Sequence, residues 1–201
     1  MWALFAGSFE KHLTVEFDLT AGQAKDVAAR AKKKYREIIA KLPEFDKRDR
    51  FEMNIVNCAM LAAFILCMPQ RPDIKTLTDY YAAAMMTPTM KAFCRASGKK
   101  KFTPKDIEGM KATAKLRAGD RNPYSWNMDF FEYEDGSGYE ARFTTCGICT
   151  LMQVLGLYDL TPALCHLDYT MSDAGGASDF VREYTLASGG PYCDCGYHKK
   201  Q

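Results

Sequence analysis

The hydrophobic period of this chain changes near residue 120, and that change restricts the fold more than any single motif. Before it, apolar residues return every three or four positions, as Val27, Ala31 and Tyr35 do, which is typical of one face of a helix. After it, apolar and polar residues alternate, as around Trp126 and Met128, which is typical of a half-buried strand. The order predicts an α+β fold, with a helical N-terminal half packed on a small, mostly antiparallel sheet in the C-terminal half.

Capping residues and prolines predict the ends of the helices. Thr20 to Gln23 has the form of a capping box, and Pro43 ends the helix that follows. Thr-Pro pairs that begin at Thr87, Thr103 and Thr161 each place a capping threonine before a proline at the first helical position. Further helices are expected at residues 50–68, 77–86 and 148–155.

Strands are expected in the second half, at residues 126–130, 139–145, 180–186 and 192–197. A turn at residues 135–138 makes the first two a hairpin. No repeat or linker interrupts the chain, so residues 1–201 are predicted to form one domain, helix-rich over 1–120 and strand-rich over 121–201.

The totals exclude several classes of protein. The chain has 27 Lys and Arg against 25 Asp and Glu, and the resulting charge of +2 is too small to suggest binding to nucleic acid. The longest apolar run, residues 58–68, is too short to span a bilayer. No export signal is recognised, and eight cysteines are too sparse for a secreted disulfide scaffold. We therefore expect a cytoplasmic protein with reduced thiols, without nucleic-acid or membrane partners.

Five of the eight cysteines lie in the strand-rich half: Cys146, Cys149, Cys165, Cys193 and Cys195. Cys146 and Cys149 have the spacing of a redox pair at a strand-to-helix junction, but the parallel strand-helix-strand context and the usual proline are missing. The two close pairs together have enough ligands for zinc, although the second pair falls in a predicted strand. A redox pair, a zinc site and the lining of a pocket all remain open on this evidence.

Cys165, Asp168 and Arg182 are the residues whose chemistry suggests a ligand site. If a helix starts at Pro162, Cys165 lies in its first turn, where amide groups favour a thiolate, and Asp168 follows on the same face. A buried cysteine beside a solvated aspartate fits the spacing equally well. Arg182 alternates with Tyr184 on a predicted strand, where it either binds a carboxylate or lies at the surface.

The order of these segments carries a family resemblance. An aromatic strand is followed by a cysteine that opens an apolar helix, at Cys146, and by Pro-x-x-Cys-x-x-Asp at residues 162–168. Next come Arg182, Thr-Leu-Ala-x-Gly at residues 185–189, and Cys-Asp-Cys at residues 193–195. Over residues 126–197 this order resembles the L-2-amino-thiazoline-4-carboxylic acid hydrolase family, except that the third residue of the last segment is usually phenylalanine.

The resemblance implies cofactor-free, metal-free opening of the ring of a small thiazoline carboxylate toward a cysteine derivative. It implies that Cys195 replaces a core aromatic residue. The catalytic candidates are Cys165, Asp168, Cys193 and Asp194, and the substrate-binding candidates are Arg182, Cys146 and Thr185. A ligand-binding or sensor domain without turnover, and a zinc or redox cysteine module, are the alternatives. Assembly into a homo-oligomer is left open.

Overall fold

The structure, a computed structural model, describes residues 1–200. Its helices are α1 (Trp2–Glu16), α2 (Ala21–Ile39), α3 (Glu52–Cys67), α4 (Ile74–Met85), α5 (Pro88–Gly98), α6 (Pro104–Arg117), α7 (Gly147–Val154), α8 (Thr161–Cys165) and α9 (Leu167–Gly175). Its strands are β1 (Asp129–Glu132), β2 (Gly138–Phe143), β3 (Ser178–Val181) and β4 (Cys193–Lys199). Helices dominate the first half and the strands all lie in the second, which confirms the predicted α+β fold.

The strands form one antiparallel sheet in the order β1-β2-β4-β3. Tyr197 of β4 pairs with Tyr139 of β2 on one side and with Phe180 of β3 on the other. Because alternate residues of a strand point to opposite faces, Cys193, Cys195 and Tyr197 share one face of β4. That face carries a small buried cluster of Met128, Ala141, Phe180 and Cys195.

The main core is helical and surrounds α3. Every residue of α3 from Cys58 to Ile65 is buried, so this helix is apolar on all sides and packs against α2 and α7. Phe64 stacks on Trp2 with ring centroids 5.5 Å apart. The helix α1, which was not predicted, contributes Phe9, fully buried, to this core. None of the helices formed by residues 1–200 is both long and apolar enough to cross a membrane.

The predicted caps at Thr20, Thr87 and Thr103 are confirmed. Each side chain accepts a hydrogen bond from a backbone amide three residues later, and Thr20 completes its capping box with Gln23. The predicted cap at Thr161 is wrong. A 3₁₀ turn at Tyr158–Leu160 runs directly into α8, so Thr161 is already helical, and its buried hydroxyl has no hydrogen-bond partner.

The predicted strand at residues 180–186 is also too long. The structure ends β3 at Val181, because the amides of Glu183 and Tyr184 donate to the carboxylate of Asp194 instead of continuing the ladder with β4. Arg182 therefore does not lie on a strand face but follows directly after the end of β3. The first predicted strand starts late for a similar reason, since the side chain of Asn127 accepts from the amides of Thr144 and Thr145.

A buried ion-pair network fixes the loop between α6 and β1. Arg117, at the end of α6, donates to the carbonyl of Trp126 at 3.0 Å and to the hydroxyl of Ser125 at 2.7 Å. Its Nη2 also contacts Asp49 at 3.3 Å and pairs with Asp120. This network holds Trp126 against the helical core, beside the start of α7.

Candidate functional site

Cys146 lies at the start of α7, where the sheet meets the helical core. It is the N-cap residue of this helix, and its carbonyl accepts from the amide of Thr150 at 3.2 Å. Gly147 follows because the backbone passes so close to Tyr124 that a Cβ atom would collide with the Tyr124 carbonyl. The helix start is therefore held tightly against the loop that precedes β1.

The pKa of Cys146 is lowered from its usual range. The main cause is the hydrogen-bonded thiol of Cys149; the amides of Cys149 and Ile148 and the side chain of Trp126 add to it, while burial acts in the opposite direction. Donors at a helix N-terminus stabilise a thiolate for the same reason that they bind anions. The same contact has the reverse effect on Cys149, whose pKa is raised by its hydrogen bond to Cys146 and by burial.

Cys165 has the opposite environment. It is the last residue of α8, not part of a first turn, and burial raises the pKa of its thiol to about 12, with the nearby charge of Cys146 adding to the effect. The expectation that a helix N-terminus favours a thiolate at Cys165 is therefore wrong. The thiol of Cys193 is also raised in pKa by burial, and its sulfur accepts from the amide of Leu186 at 3.2 Å.

Arg182 ties these elements together. Its Nη1 donates to the carbonyl of Cys165 at 3.0 Å, and its Nη2 lies 2.6 Å from Asp168 Oδ2 and 2.8 Å from Cys195 Sγ. The Arg182 side chain is only 6% exposed, whereas that of Asp168 is 44% exposed. The Nε–H of Arg182 is buried and has no partner. The protein thus satisfies most of the guanidinium, but its Nε–H has no partner.

An open cleft of about 230 Å³ lies over this arginine. Its lining comes from α8, α9 and the segment after β3: Pro162, Cys165, His166, Tyr169, Arg182, Glu183, Thr185 and Ser188. The hydroxyl of Thr185 accepts from the amide of Ser188 at 3.1 Å, which closes the 3₁₀ turn at Leu186–Ser188 on one side of the cleft. The cleft therefore combines one buried cation with hydroxyl groups, a neutral thiol, the imidazole of His166 and the exposed residue Glu183.

Residues 48–197 match the family model described as L-2-amino-thiazoline-4-carboxylic acid hydrolase. The chain belongs to this family. The match begins before α3, so it includes most of the helical core as well as the segments around the cleft. No curated protein and no solved structure matches the chain.

Membership of the L-2-amino-thiazoline-4-carboxylic acid hydrolase family supports a hydrolase-like function in general. Of the residues that the sequence singled out, Cys165, Arg182 and Thr185 line the cleft, and Asp168 is bound to Arg182. Cys146 and Cys193 lie behind Cys165, close enough for their charges to affect the pKa of its thiol. These placements bring the segments together but leave the catalytic roles as predictions.

Asp194 has a different setting from the other candidates. Its carboxylate accepts from the amides of Glu183 and Tyr184 at 2.8 and 2.6 Å. This contact turns the chain after β3, and so it fixes the position of Arg182. The neighbouring Cys195 is buried against Arg182, at the position where the family resemblance places a phenylalanine.

Lys101 belongs to the same region and was not predicted. Its Nζ lies 3.2 Å from the ring centroid of Tyr197, and burial lowers its pKa to about 8. Tyr197 packs on Phe180 at 5.0 Å, and Phe180 in turn lies 4.7 Å from the guanidinium of Arg182. The two cations therefore bracket one aromatic pair. Only the tertiary structure brings Lys101 here, from a loop with no motif.

A metal centre finds no support in this geometry. Within residues 1–200, no three side chains of His, Cys, Asp or Glu are grouped in a way that would hold a metal ion. The two close cysteine pairs have different partners. Cys149 is hydrogen-bonded to Cys146 at the start of α7, whereas Cys195 of the sheet contacts Arg182.

Proposed function

We propose that this protein is a hydrolase that opens the ring of a small thiazoline carboxylate and releases a cysteine derivative. The observation that carries the proposal is a difference in pKa between two nearby thiols, of which Cys165 lines the cleft and Cys146 lies at the start of α7. The pKa of Cys146 is lowered, whereas that of Cys165 is raised to about 12. Ionisable groups whose environments push their pKa values apart are suited to act as base or nucleophile on one side and as acid on the other.

The first step is attack by the thiolate of Cys146 on the ring carbon that carries the amino group. A bond forms between Sγ and this carbon, and the bond from the carbon to the ring sulfur breaks. Cys165 gives its proton to the departing sulfur, which is a better leaving group than the ring nitrogen because a thiol is more acidic than an amine. The substrate is then attached to Cys146 with its own thiol free.

Water completes the reaction. Its oxygen adds to the same carbon, one proton returns to Cys165 and the other goes to the former ring nitrogen, and the bond from the carbon to Sγ of Cys146 breaks. The product keeps the oxygen as a carbonyl, and Cys146 leaves as a thiolate, stabilised again by the amides at the start of α7. Atoms and charges balance with one water consumed and no cofactor.

The carboxylate of the substrate binds beside Arg182. Asp168 already occupies part of the guanidinium, but it is much more exposed than the arginine. An incoming carboxylate therefore competes with Asp168 for Nη2 of Arg182. The hydroxyls of Thr185 and Ser188 provide further donors on the same side of the cleft.

The test is a product assay with L-2-amino-thiazoline-4-carboxylate, followed by separation of small molecules from protein. A new free thiol in the small-molecule fraction is expected, whereas a free amine without a thiol would show cleavage of the carbon–nitrogen bond instead. Cys146→Ser should lower kcat by at least about 10³-fold, and Cys165→Ser by about 10²-fold. Cys67→Ser, in α3 near Lys34, is the matched control and should be fully active.

Normal turnover by Cys146→Ser would reject the attacking thiolate, and Asp168 acting through a water molecule would become the better assignment.

A second candidate function is a binding domain without turnover. The Arg182–Asp168 pair favours this candidate, because an arginine with an exchangeable anionic partner is enough to bind a carboxylate. Such a site needs no nearby thiolate. Tight calorimetric binding of the thiazoline without any product would support this second candidate.

A further inference from the structure

Two cysteines, Cys146 and Cys149, lie close together at the start of α7. Cys146 and Cys149 are both partly exposed, as is Cys165, whereas the other five cysteines are buried. Both residues of the pair therefore keep some accessible surface, although the thiol of Cys146 is itself largely buried. Neither thiol is engaged in a disulfide in the structure.

The geometry of the pair suits a disulfide. Cys146 is the N-cap of α7 and Cys149 is the third residue of the helix, so the two lie one turn apart on the same side. Helix geometry places such Cα atoms about 5 Å apart, inside the roughly 4.4–6.8 Å that a disulfide spans. The two thiols are also near enough for each to shift the pKa of the other.

We propose that Cys146 and Cys149 form a dithiol site that reacts with small disulfides, of the glutathione disulfide class, and closes into an intramolecular disulfide. The context differs from thioredoxin-like proteins, because the helix follows an antiparallel strand of a four-stranded sheet. The assignment rests on the local arrangement at the helix start and on the partial exposure of both residues.

The exchange has two steps. The sulfur of Cys146 attacks one sulfur of the small disulfide, whose S–S bond breaks and releases one small thiol, leaving a mixed disulfide on Cys146. Cys149 then loses its proton and attacks the sulfur of Cys146, which releases the second small thiol. In total, two protein thiols are oxidised and one small disulfide is reduced to two thiols.

The second step is favoured by the first. In the reduced protein, the hydrogen bond to Cys146 and the negative charge of Cys146 both keep Cys149 protonated. Once Cys146 is joined to a small thiol, that charge is gone, and Cys149 ionises more easily next to the bond it must attack. The mixed disulfide is therefore short-lived in the wild type.

One consequence rests on the proposed function. If Cys146 attacks the substrate, closing the disulfide removes the attacking thiolate and stops turnover, and a small thiol in excess restores it. The dithiol site would then couple ring opening to the balance of small thiols and disulfides. The formation of the disulfide itself does not depend on any hydrolase activity.

The experiment exposes the reduced full-length protein to glutathione disulfide, followed by alkylation and peptide mass spectrometry. Two of the eight thiols should disappear, and the peptides of Cys146 and Cys149 should be joined. In Cys149→Ser the reaction should stop at one glutathione bound to Cys146. Because Cys165→Ser leaves both members of the pair in place, it should still form the bridge.

Three outcomes would overturn the proposal: no loss of thiols, a bridge from Cys146 to Cys165, or glutathione attached mainly to Cys165. Modification of Cys146 in Cys149→Ser should also proceed at least about tenfold faster than that of Cys165 in the same sample. A bridge in a protein that does not hydrolyse the thiazoline would leave this inference standing and reject the proposed function. Turnover without a bridge would support the proposed function and overturn this inference.

Discussion

Two buried arginines, Arg117 and Arg182, each pair with an aspartate, but the two aspartates differ in their exposure to solvent. Arg117 and its partner Asp49 have side chains only 2% and 1% exposed, and the guanidinium is surrounded by Asp120, Ser125 and the carbonyl of Trp126. Arg182 is nearly as buried, at 6%, but the carboxylate that pairs with it is 44% exposed. One ion pair is closed to solvent, and the other opens onto a cleft.

The exposure of the aspartate decides what each ion pair can do. A closed ion pair fixes a loop, and its loss leaves an uncompensated charge in the protein interior. An open pair keeps an arginine desolvated while its partner can be replaced by another anion. The Nε–H of Arg182 is buried without a partner, which is unusual because buried donors in proteins are normally hydrogen-bonded.

The largest effect is expected when the closed pair is broken. Arg117→Met leaves the buried Asp49 with two neutral donors, the hydroxyl of Ser125 and the amide of Phe51, and no cation, and it should lower the free energy of unfolding by about 3–5 kcal/mol. Urea unfolding followed by circular dichroism measures this. Adding Asp49→Asn to the same variant should restore part of the stability, and Arg48→Met, at an exposed pair with Asp46, is the control without a measurable loss. A loss below about 1 kcal/mol in Arg117→Met would contradict the comparison.

Breaking the open pair should affect ligand binding more than folding. Arg182→Met is expected to weaken binding of the thiazoline carboxylate by about 1.5–3 kcal/mol, the usual range for a hydrogen bond to a charged group. Its cost in unfolding free energy should be smaller than that of Arg117→Met, because Asp168 can return to water. Titration calorimetry measures the binding affinity. Arg182→Lys keeps the charge but not the paired N–H donors of the guanidinium, so its affinity should lie between those of the wild type and Arg182→Met. Equal affinity in wild type and Arg182→Met would show that the carboxylate binds elsewhere.

Lys101 tests how well the open region compensates its charges. Its pKa is lowered from 10.5 to about 8, so between these values the unfolded chain holds a proton that the folded protein has lost. The contribution of Lys101 to the free energy of unfolding should therefore become more favourable with pH from about 8 to 10.5, by roughly 1–2 kcal/mol after allowance for solvent. The buried thiols of Cys165 and Cys193, whose pKa values are raised, change the stability in the opposite direction, so the wild type has to be compared with Lys101→Met. Urea unfolding across that window should show the wild type gaining this amount of stability relative to the variant. A constant difference between the two proteins would show that Lys101 does not titrate there.

The smallest effect is expected at the exposed partner of the open pair. Asp168→Asn should change the free energy of unfolding by less than about 1 kcal/mol, since the lost ion pair is half exposed. It should also raise the affinity for a small carboxylate by roughly threefold, because Arg182 loses a competitor. Calorimetric titration with the thiazoline carboxylate decides the sign. Weaker binding in Asp168→Asn would mean that Asp168 contacts the ligand directly.

Local signals in the sequence account for much of the helical half. The capping threonines at Thr20, Thr87 and Thr103 and the apolar stripes set the helices there, because both signals act over a few residues. The helix α1 was missed although Phe5, Phe9 and Leu13 recur at helical spacing. The order of motifs in the second half also placed the chain in its family, and the family match agrees.

Only the tertiary structure decided where the chemistry lies. A Thr-Pro pair at Thr161 looks like the other caps, but a preceding 3₁₀ turn places Cys165 at the far end of its helix, with a raised pKa. The side chain of Asp194, from β4, ends the strand before Arg182 and points the arginine at α8 and α9. These outcomes depend on contacts between segments distant in sequence. A thiol or a guanidinium acquires its pKa and its partners from what packs around it, and the sequence pattern carries only the residue and its nearest neighbours along the chain.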